Sequence, residues 1–168
     1  GVSPYRPTAL AVAGDTLSGI ENAKGSTFAD TLTGTGSTNT LIGNGGADTL
    51  IGNDGNDELN VGDANFAKAD GGIGTFDILD VAAVSSIDFT GLSDITTKVS
   101  TVEVFDLTGG GNNTVKMNFD NIIDLNVQSS NVINSGVDNA LLVTGEAGDT
   151  LNLMGTWAKT TGGGGAGF

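Results

Sequence analysis

A nine-residue period constrains this chain more than any other feature. From Gly25 to Asn60 the sequence divides into four blocks, which read GSTFADTLT, GTGSTNTLI, GNGGADTLI and GNDGNDELN. Each block opens with glycine, carries Asp or Asn at its sixth position and carries leucine at its eighth. The period predicts one short strand and one tight turn per block, with the leucine pointing inward and glycine permitting positive φ angles in the turn.

This pattern resembles the calcium-binding nonapeptide of RTX (repeats-in-toxin) proteins. The resemblance implies a parallel β-roll, in which two repeats make one winding and strands stack about 4.8 Å apart. Turns eighteen residues apart then lie over each other, so Asp30 lies over Asp48 along one edge and Asn39 lies over Asp57 along the other. The alternative is a flexible acidic linker, but a linker does not need leucine at every ninth position.

The stacked acids point to calcium. Neighbouring carboxylates repel one another, and calcium takes about six to eight oxygen ligands, so several Ca²⁺ ions between the turns would account for both the acids and the glycines. The expected ligands are the sixth-position residues, the glycine carbonyls of the same turns and two third-position acids: Asp30, Asn39, Asp48, Asp57 and Asp77; Gly43, Gly45, Gly52 and Gly55; Asp54 and Asp63. For Asp54 and Asp63, solvation is an equal alternative.

Two departures from the repeat affect these sites. Asn39 stands where the repeat has an aspartate, which lowers the charge of its site and should weaken it. Asp77 lies twenty residues past Asp57, whereas a strict register gives eighteen, so a site between them needs a bulge. The Asp30–Asp48 pair is therefore expected to be the better site.

The charge and the amino-acid composition limit the kinds of partner and activity that this chain can have. The formal net charge of -14 disfavours nucleic acid and anionic membranes as partners and favours bound cations. The chain has no cysteine for disulfides, and no apolar run approaches the roughly 20 residues of a membrane span. With neither histidine nor cysteine, the usual general base and thiol nucleophile are missing, so we expect a protein that is not an enzyme.

Four segments are expected along the chain: a lead-in at 1–13, the RTX β-roll at 14–79, a β-rich capping or sandwich-like region at 80–160 and a glycine-rich tail at 161–168. The fold class is thus all-β, with little helix. In the third segment, 99–108 is predicted as one strand, and Val115, Met117 and Phe119 should share one face of another. The turn 145–149 is predicted as a hairpin loop, with a further calcium turn as the alternative.

Two later phrases, STVEVFDLTGGGNNTVKMNFDNIIDL and LLVTGEAGDTLNLMGTW, resemble the C-terminal region of very large RTX adhesins that bacteria export by the type I pathway. The resemblance implies a secreted module of the bacterial cell surface that leaves the cell unfolded and folds on extracellular calcium. Its implied partners are calcium and the type I secretion machinery, with adhesion and biofilm formation as its roles and neither nucleic acid nor membrane insertion involved.

Two other functions remain open. Residues 80–160 could bind a surface polysaccharide, a peptide or ice, since the composition changes after Asp80. The chain could also be an accessory domain of a secreted hydrolase, because such enzymes carry similar repeats.

Overall fold

The computed structural model describes residues 8–10, 14, 16–118, 120–122 and 141–155. Short strands dominate these residues, as the sequence predicts. They are β1 (Thr8–Leu10), β2 (Thr16–Ser18), β3 (Asn22–Lys24), β4 (Thr31–Thr33), β5 (Thr40–Ile42), β6 (Thr49–Asp54), β7 (Glu58–Asn60), β8 (Lys68–Ile73), β9 (Ile78–Asp80), β10 (Ser86–Asp88), β11 (Val99–Ser100), β12 (Val104–Asp106), β13 (Thr114–Asn118), β14 (Leu142–Thr144) and β15 (Thr150–Met154).

From β1 to β9, successive strands alternate between two parallel sheets, so the chain winds as a β-roll. The first sheet has the order β1-β3-β5-β7-β9-β12-β14, and the second has the order β2-β4-β6-β8-β11. All described pairings in both sheets are parallel. The all-β parallel β-roll predicted from the repeats is confirmed.

The leucine of each block forms the core of the roll. Leu32 pairs with Leu50 in the second sheet, and Leu41, Leu59 and Leu79 follow one another in the first. All of these leucines are fully buried, whereas the residues on either side of them in the strands keep some exposure. Side chains alternate across a strand, so the central leucine of a three-residue strand points towards the opposite sheet and its two neighbours point towards solvent.

Parallel winding continues beyond the repeats. β9 pairs with β12, and β12 with β14, so the first sheet runs through residue 79 into the later region. A third parallel sheet, β10-β13-β15, starts there. Phe89, which follows β10 of this sheet, packs edge to face on Phe105 of β12 in the first sheet, with ring centroids 6.0 Å apart. The division into four segments stays a prediction.

Two expectations about this later region are wrong. Residues 99–108 form two strands instead of one, because Thr101 adopts a left-handed φ of 51° and turns the chain from the second sheet into the first. The turn 145–149 is not a hairpin loop, since β14 and β15 belong to different sheets and each pairs in parallel with an earlier strand. Val115 and Met117 share the buried face of β13 as predicted; Phe119 and the residues from 123 to 140 lie outside the described part.

Helical structure is scarce in the described residues. It consists of a 3-10 turn at Ile95–Thr97, which the Asp94 side chain caps, and a helical turn at 120–122. None of the helices in this part of the chain is long and apolar enough to span a membrane.

The leucine ladder gives a first test. We expect Leu50→Ala to lower the free energy of unfolding by about 2–5 kcal/mol, because it leaves a cavity between stacked windings. The matched control is Ile73→Ala: this side chain is 78% exposed, so the change should stay within about 0.5 kcal/mol. Urea unfolding at one fixed calcium concentration measures both. Equal effects of the two substitutions would contradict the assignment of the core.

Candidate metal centre

Asp30 and Asp48 meet along one edge of the roll, which we call the Asp48 edge. The backbone N–H of Asp30 donates to Oδ1 of Asp48 at 2.8 Å, and both side chains are buried. Within its own turn, Oδ2 of Asp30 accepts hydrogen bonds from the backbone N–H and the hydroxyl of Ser26. The superposition predicted from the eighteen-residue spacing is therefore present.

The opposite edge carries a longer column, which we call the Asp57 edge. The N–H of Asn39 donates to Asp57 at 2.7 Å, and that of Asp57 donates to Asp77 at 2.8 Å. Asp77 keeps its place despite the twenty-residue spacing, because Glu58 and Ile78 still pair across β7 and β9. The column then continues to Glu103, whose Oε2 accepts the N–H of Asp77 at 2.7 Å. Sequence reasoning missed Glu103.

The Asp57 edge holds carboxylate oxygens that have no hydrogen bond. Oδ2 of Asp57 and Oδ2 of Asp77 are buried, and neither has a hydrogen-bond partner among the described residues. Leaving a buried polar oxygen without a hydrogen bond costs about 1–3 kcal/mol, and more when the group is charged. Two such oxygens in successive windings fit a hard cation, which prefers oxygen ligands.

Glycine carbonyls converge on the same points. A Cβ placed on Gly25 would lie 2.6 Å from the Gly43 carbonyl oxygen and 3.1 Å from Oδ2 of Asp30. A Cβ on Gly52 would collide with Oδ2 of Asp57 and with the carbonyl oxygen of Gly71. At Gly25 and Gly52 a carboxylate and a main-chain oxygen thus come together in a space that a side chain would fill.

The other predicted glycine ligands occupy the same turns. The carbonyl oxygens of Gly52 and Gly55 lie beside Gly34 and Gly74, where a Cβ would also meet Asn39 and Asp77 respectively. Gly45 lies on the Asp48 edge, and its N–H donates to the Ser26 carbonyl at 3.4 Å. These positions are compatible with main-chain ligation, which stays a prediction.

The two third-position acids lie outside both columns. Asp54 is exposed at the end of β6. Asp63 uses Oδ1 to accept hydrogen bonds from the backbone and the side-chain amide of Asn65, at 2.8 and 2.9 Å. In the described part of the chain, no group of three or more acidic side chains is arranged to hold a metal. The residues present therefore fit calcium only if main-chain oxygens supply much of its coordination.

Burial makes the column acids poor at carrying charge without a cation. Desolvation raises the pKa of Asp57 to about 6, against the opposing hydrogen bond from Asn39. Desolvation also raises the pKa of Asp77 to about 7, with the Asp57 N–H opposing and the charges of Glu103, Asp57 and Asp70 adding to the shift. The pKa of Asp48 is raised for the same first reason. A bound divalent cation would reverse this balance by favouring the ionised forms.

A lysine ends the Asp48 edge. One winding after Asp48, the equivalent position holds Ala67, whose N–H donates to the Asp48 carbonyl at 2.7 Å. The Lys98 ammonium donates to the carbonyl oxygens of Phe66 and Ala64 at 2.6 and 3.2 Å, and it lies 4.2 Å from the centre of the Phe66 ring. A covalently attached cation thus binds main-chain oxygens where the acid column stops.

The raised pKa values predict a pH dependence with a definite sign. In the metal-free fold, Asp57 and Asp77 hold protons that they lose near pH 3.8 when exposed, so that fold loses stability as pH rises from about 4 to about 7. Calcium binds the ionised acids. The calcium concentration at the midpoint of folding should therefore decrease as the pH rises from about 5.5 to about 8, and calcium binding near pH 6 should release protons. Circular dichroism titrations and an indicator dye in weak buffer measure these effects; a pH-independent midpoint would contradict them.

Comparison with known proteins bears on the same turns. The model of the RTX calcium-binding nonapeptide repeat (4 copies) matches residues 15–49 and 33–65. The comparisons with curated proteins and with solved structures found no match. The matched range includes Asp30, Asn39, Asp48 and Asp57, and it stops before Asp77 and Glu103. Residues 15–65 of this chain therefore carry RTX calcium-binding nonapeptide repeats, wound as a parallel β-roll.

Proposed function

We propose that the chain is a non-catalytic, calcium-folded module of a secreted bacterial adhesin, which supports type I secretion, surface adhesion and biofilm formation. The observation that carries the calcium part is the Asp57 edge, where buried carboxylates stack in successive windings and two of their oxygens lack a hydrogen bond. When calcium is bound, it supplies positive charge to these oxygens. The chain's own residues then hold the strands in register.

Coupling between calcium and folding follows from where the ligands come from. Asp57 and Asp77 belong to different windings and approach each other only when β7 and β9 pair. Without the fold the site does not exist, so the binding free energy of calcium becomes folding free energy. Extracellular calcium modules work with dissociation constants near 10⁻⁴–10⁻³ M, on the order of the calcium concentration outside cells. A chain kept unfolded at low cytosolic calcium can pass through an export channel and fold outside.

The adhesin setting rests on the resemblance of residues 100–125 and 141–157 to the ends of large RTX adhesins. The acidic surface supports it, since a net charge of -14 keeps the metal-free chain extended and soluble during export. The lack of histidine and cysteine supports a non-catalytic role.

Ligand binding by the later region is a second candidate, and one observation favours it. A cavity of about 280 Å³ opens between β14 and β15, lined by Leu107, Val143, Leu151, Glu146 and Asp149 among others. Apolar walls with two acids would suit a small polar ligand that carries a cation or several hydroxyls. A glycan and peptide array probed with the calcium-loaded chain tests this; binding that Leu151→Asp abolishes would support it, and an empty array would count against it.

Calcium-coupled folding makes a direct prediction. Excess chelator should abolish the parallel-β circular dichroism signal, and added Ca²⁺ should restore it. Asp57→Asn keeps an oxygen for the Asn39 N–H and removes the charge, so it should raise the calcium concentration at the folding midpoint by at least about tenfold. Substitution of residues that only contact a metal ligand already lowers metal affinity by about tenfold or more, so loss of a ligand charge should do at least as much.

The matched control is Asp88→Asn. Asp88 is exposed in the third sheet and pairs weakly with Lys116 at 3.6 Å, so the same loss of charge should leave the midpoint unchanged. A native signal that persists at full strength in chelator would overturn the proposal.

A further inference from the structure

The turn at 101–103 repeats the geometry of the acid turns outside the matched repeats. Glu103 immediately precedes β12, as Asp77 precedes β9 and Asp57 precedes β7, and these strands are paired neighbours in the first sheet. The N–H of Asp77 donates to Glu103 at 2.7 Å, just as the N–H of Asp57 donates to Asp77 at 2.8 Å. Glu103 is 2% exposed, so its carboxylate belongs to the interior of the edge.

An unpaired oxygen and a main-chain carbonyl accompany Glu103. Asp77 is fully buried, and its Oδ2 has no hydrogen-bond partner among the described residues. A Cβ on Gly71 would collide with the Thr101 carbonyl oxygen and lie 2.8 Å from Cγ of Asp77. The Thr101 carbonyl oxygen and Cβ and Cγ of Asp77 thus surround one point at Gly71, and one winding earlier the Gly71 carbonyl oxygen and Oδ2 of Asp57 surround the corresponding point at Gly52.

The Thr101 carbonyl is held in place by its own side chain. The Thr101 hydroxyl donates to Asp70 at 2.8 Å and accepts the N–H of Gly72 at 2.7 Å. Asp70 in turn pairs with Lys68 at 2.7 Å, so its charge is already compensated. A β-branched residue rarely adopts a left-handed φ such as the 51° of Thr101, and these contacts hold it there.

We propose that Asp77, Glu103 and the main-chain carbonyl of Thr101 form a further calcium site beyond the nonapeptide repeats. The inference rests on the proposed calcium-folded function and extends it to a winding that the repeat pattern does not cover. Two carboxylates and a carbonyl are the hard oxygen donors that calcium prefers, and a turn that mixes side-chain and main-chain donors suits its irregular coordination better than the strict octahedron of magnesium. Calcium at this site fastens β12 to β9.

Counting bound ions tests the site. Equilibrium dialysis against ⁴⁵Ca²⁺, with the whole chain, should show one fewer ion at saturation for Glu103→Gln than for the unmodified protein. The glutamine keeps an oxygen for the Asp77 N–H, so the hydrogen bond persists while the charge is lost. The matched control is Glu58→Gln, an exposed residue of the same sheet with the same charge change, which should bind the full number.

The outcomes separate this inference from the proposed function. If the unmodified chain binds no calcium, the proposed function fails. If it binds calcium and Glu103→Gln binds the same number with the same affinities, only the further site is overturned. Circular dichroism shows whether Glu103→Gln folds in saturating calcium. If it does not fold, a calcium-soaked crystal of the unmodified protein tests the site instead. Anomalous density between Asp77 and Glu103 would support the site, whereas density at the repeats and none between these two residues would overturn it.

Discussion

The hydrogen bond from one winding to the acid of the next is the interaction on which the roll depends. At Asp30, Asn39, Asp57 and Asp77 the backbone N–H donates to a carboxylate one winding further along. This contact sets the register of the turns, and it requires the acids to be buried. Burial and stacking destabilise the ionised acids when no cation is near, so the hydrogen bonds that align the windings also place acids where a cation would be favoured.

The acid columns and the leucine ladder reinforce each other because one period generates both. An Asp or Asn stands two residues before the leucine in every block, so a strand that buries its leucine also places this Asp or Asn in the column. A slip of one residue would expose the leucine and remove the acid from its partner at once. The two extra residues between Asp57 and Asp77 are absorbed outside β7 and β9, and these three-residue strands stay in register.

The repeat region was predictable in detail and the later region only in outline. Between residues 25 and 60 the strands, the buried leucines and the stacking of Asp30 on Asp48 follow from the period. Glu103 was missed because it lies 26 residues from Asp77, outside any fixed period, and because the apolar residues around it favour one continuous strand. The chain turns at Thr101 before Glu103, and a positive φ at threonine has no signature in the sequence.

The third sheet and the Lys98 contact could not be predicted either, because both depend on contacts between residues that are far apart in the sequence. Lys98 reaches the Phe66 carbonyl across 32 residues, and only the winding of the chain brings them together. Non-local contacts of this kind depend on the length of each winding, which varies once the nine-residue period ends. Local pattern determines which residues are buried, whereas the lengths of the connections determine which of them meet.

The Lys98 ammonium gives the two edges of the roll different sensitivities. Its contacts with the Ala64 and Phe66 carbonyls involve a charge that the chain itself carries, so they do not vary with the ions in the surrounding solution. The neighbouring windings on the opposite edge have stacked acids instead. We therefore expect withdrawal of calcium to separate these windings first at the Asp57 edge, while the Lys98 contacts hold the opposite edge together. Refolding of this part of the roll should then start from the edge that Lys98 holds.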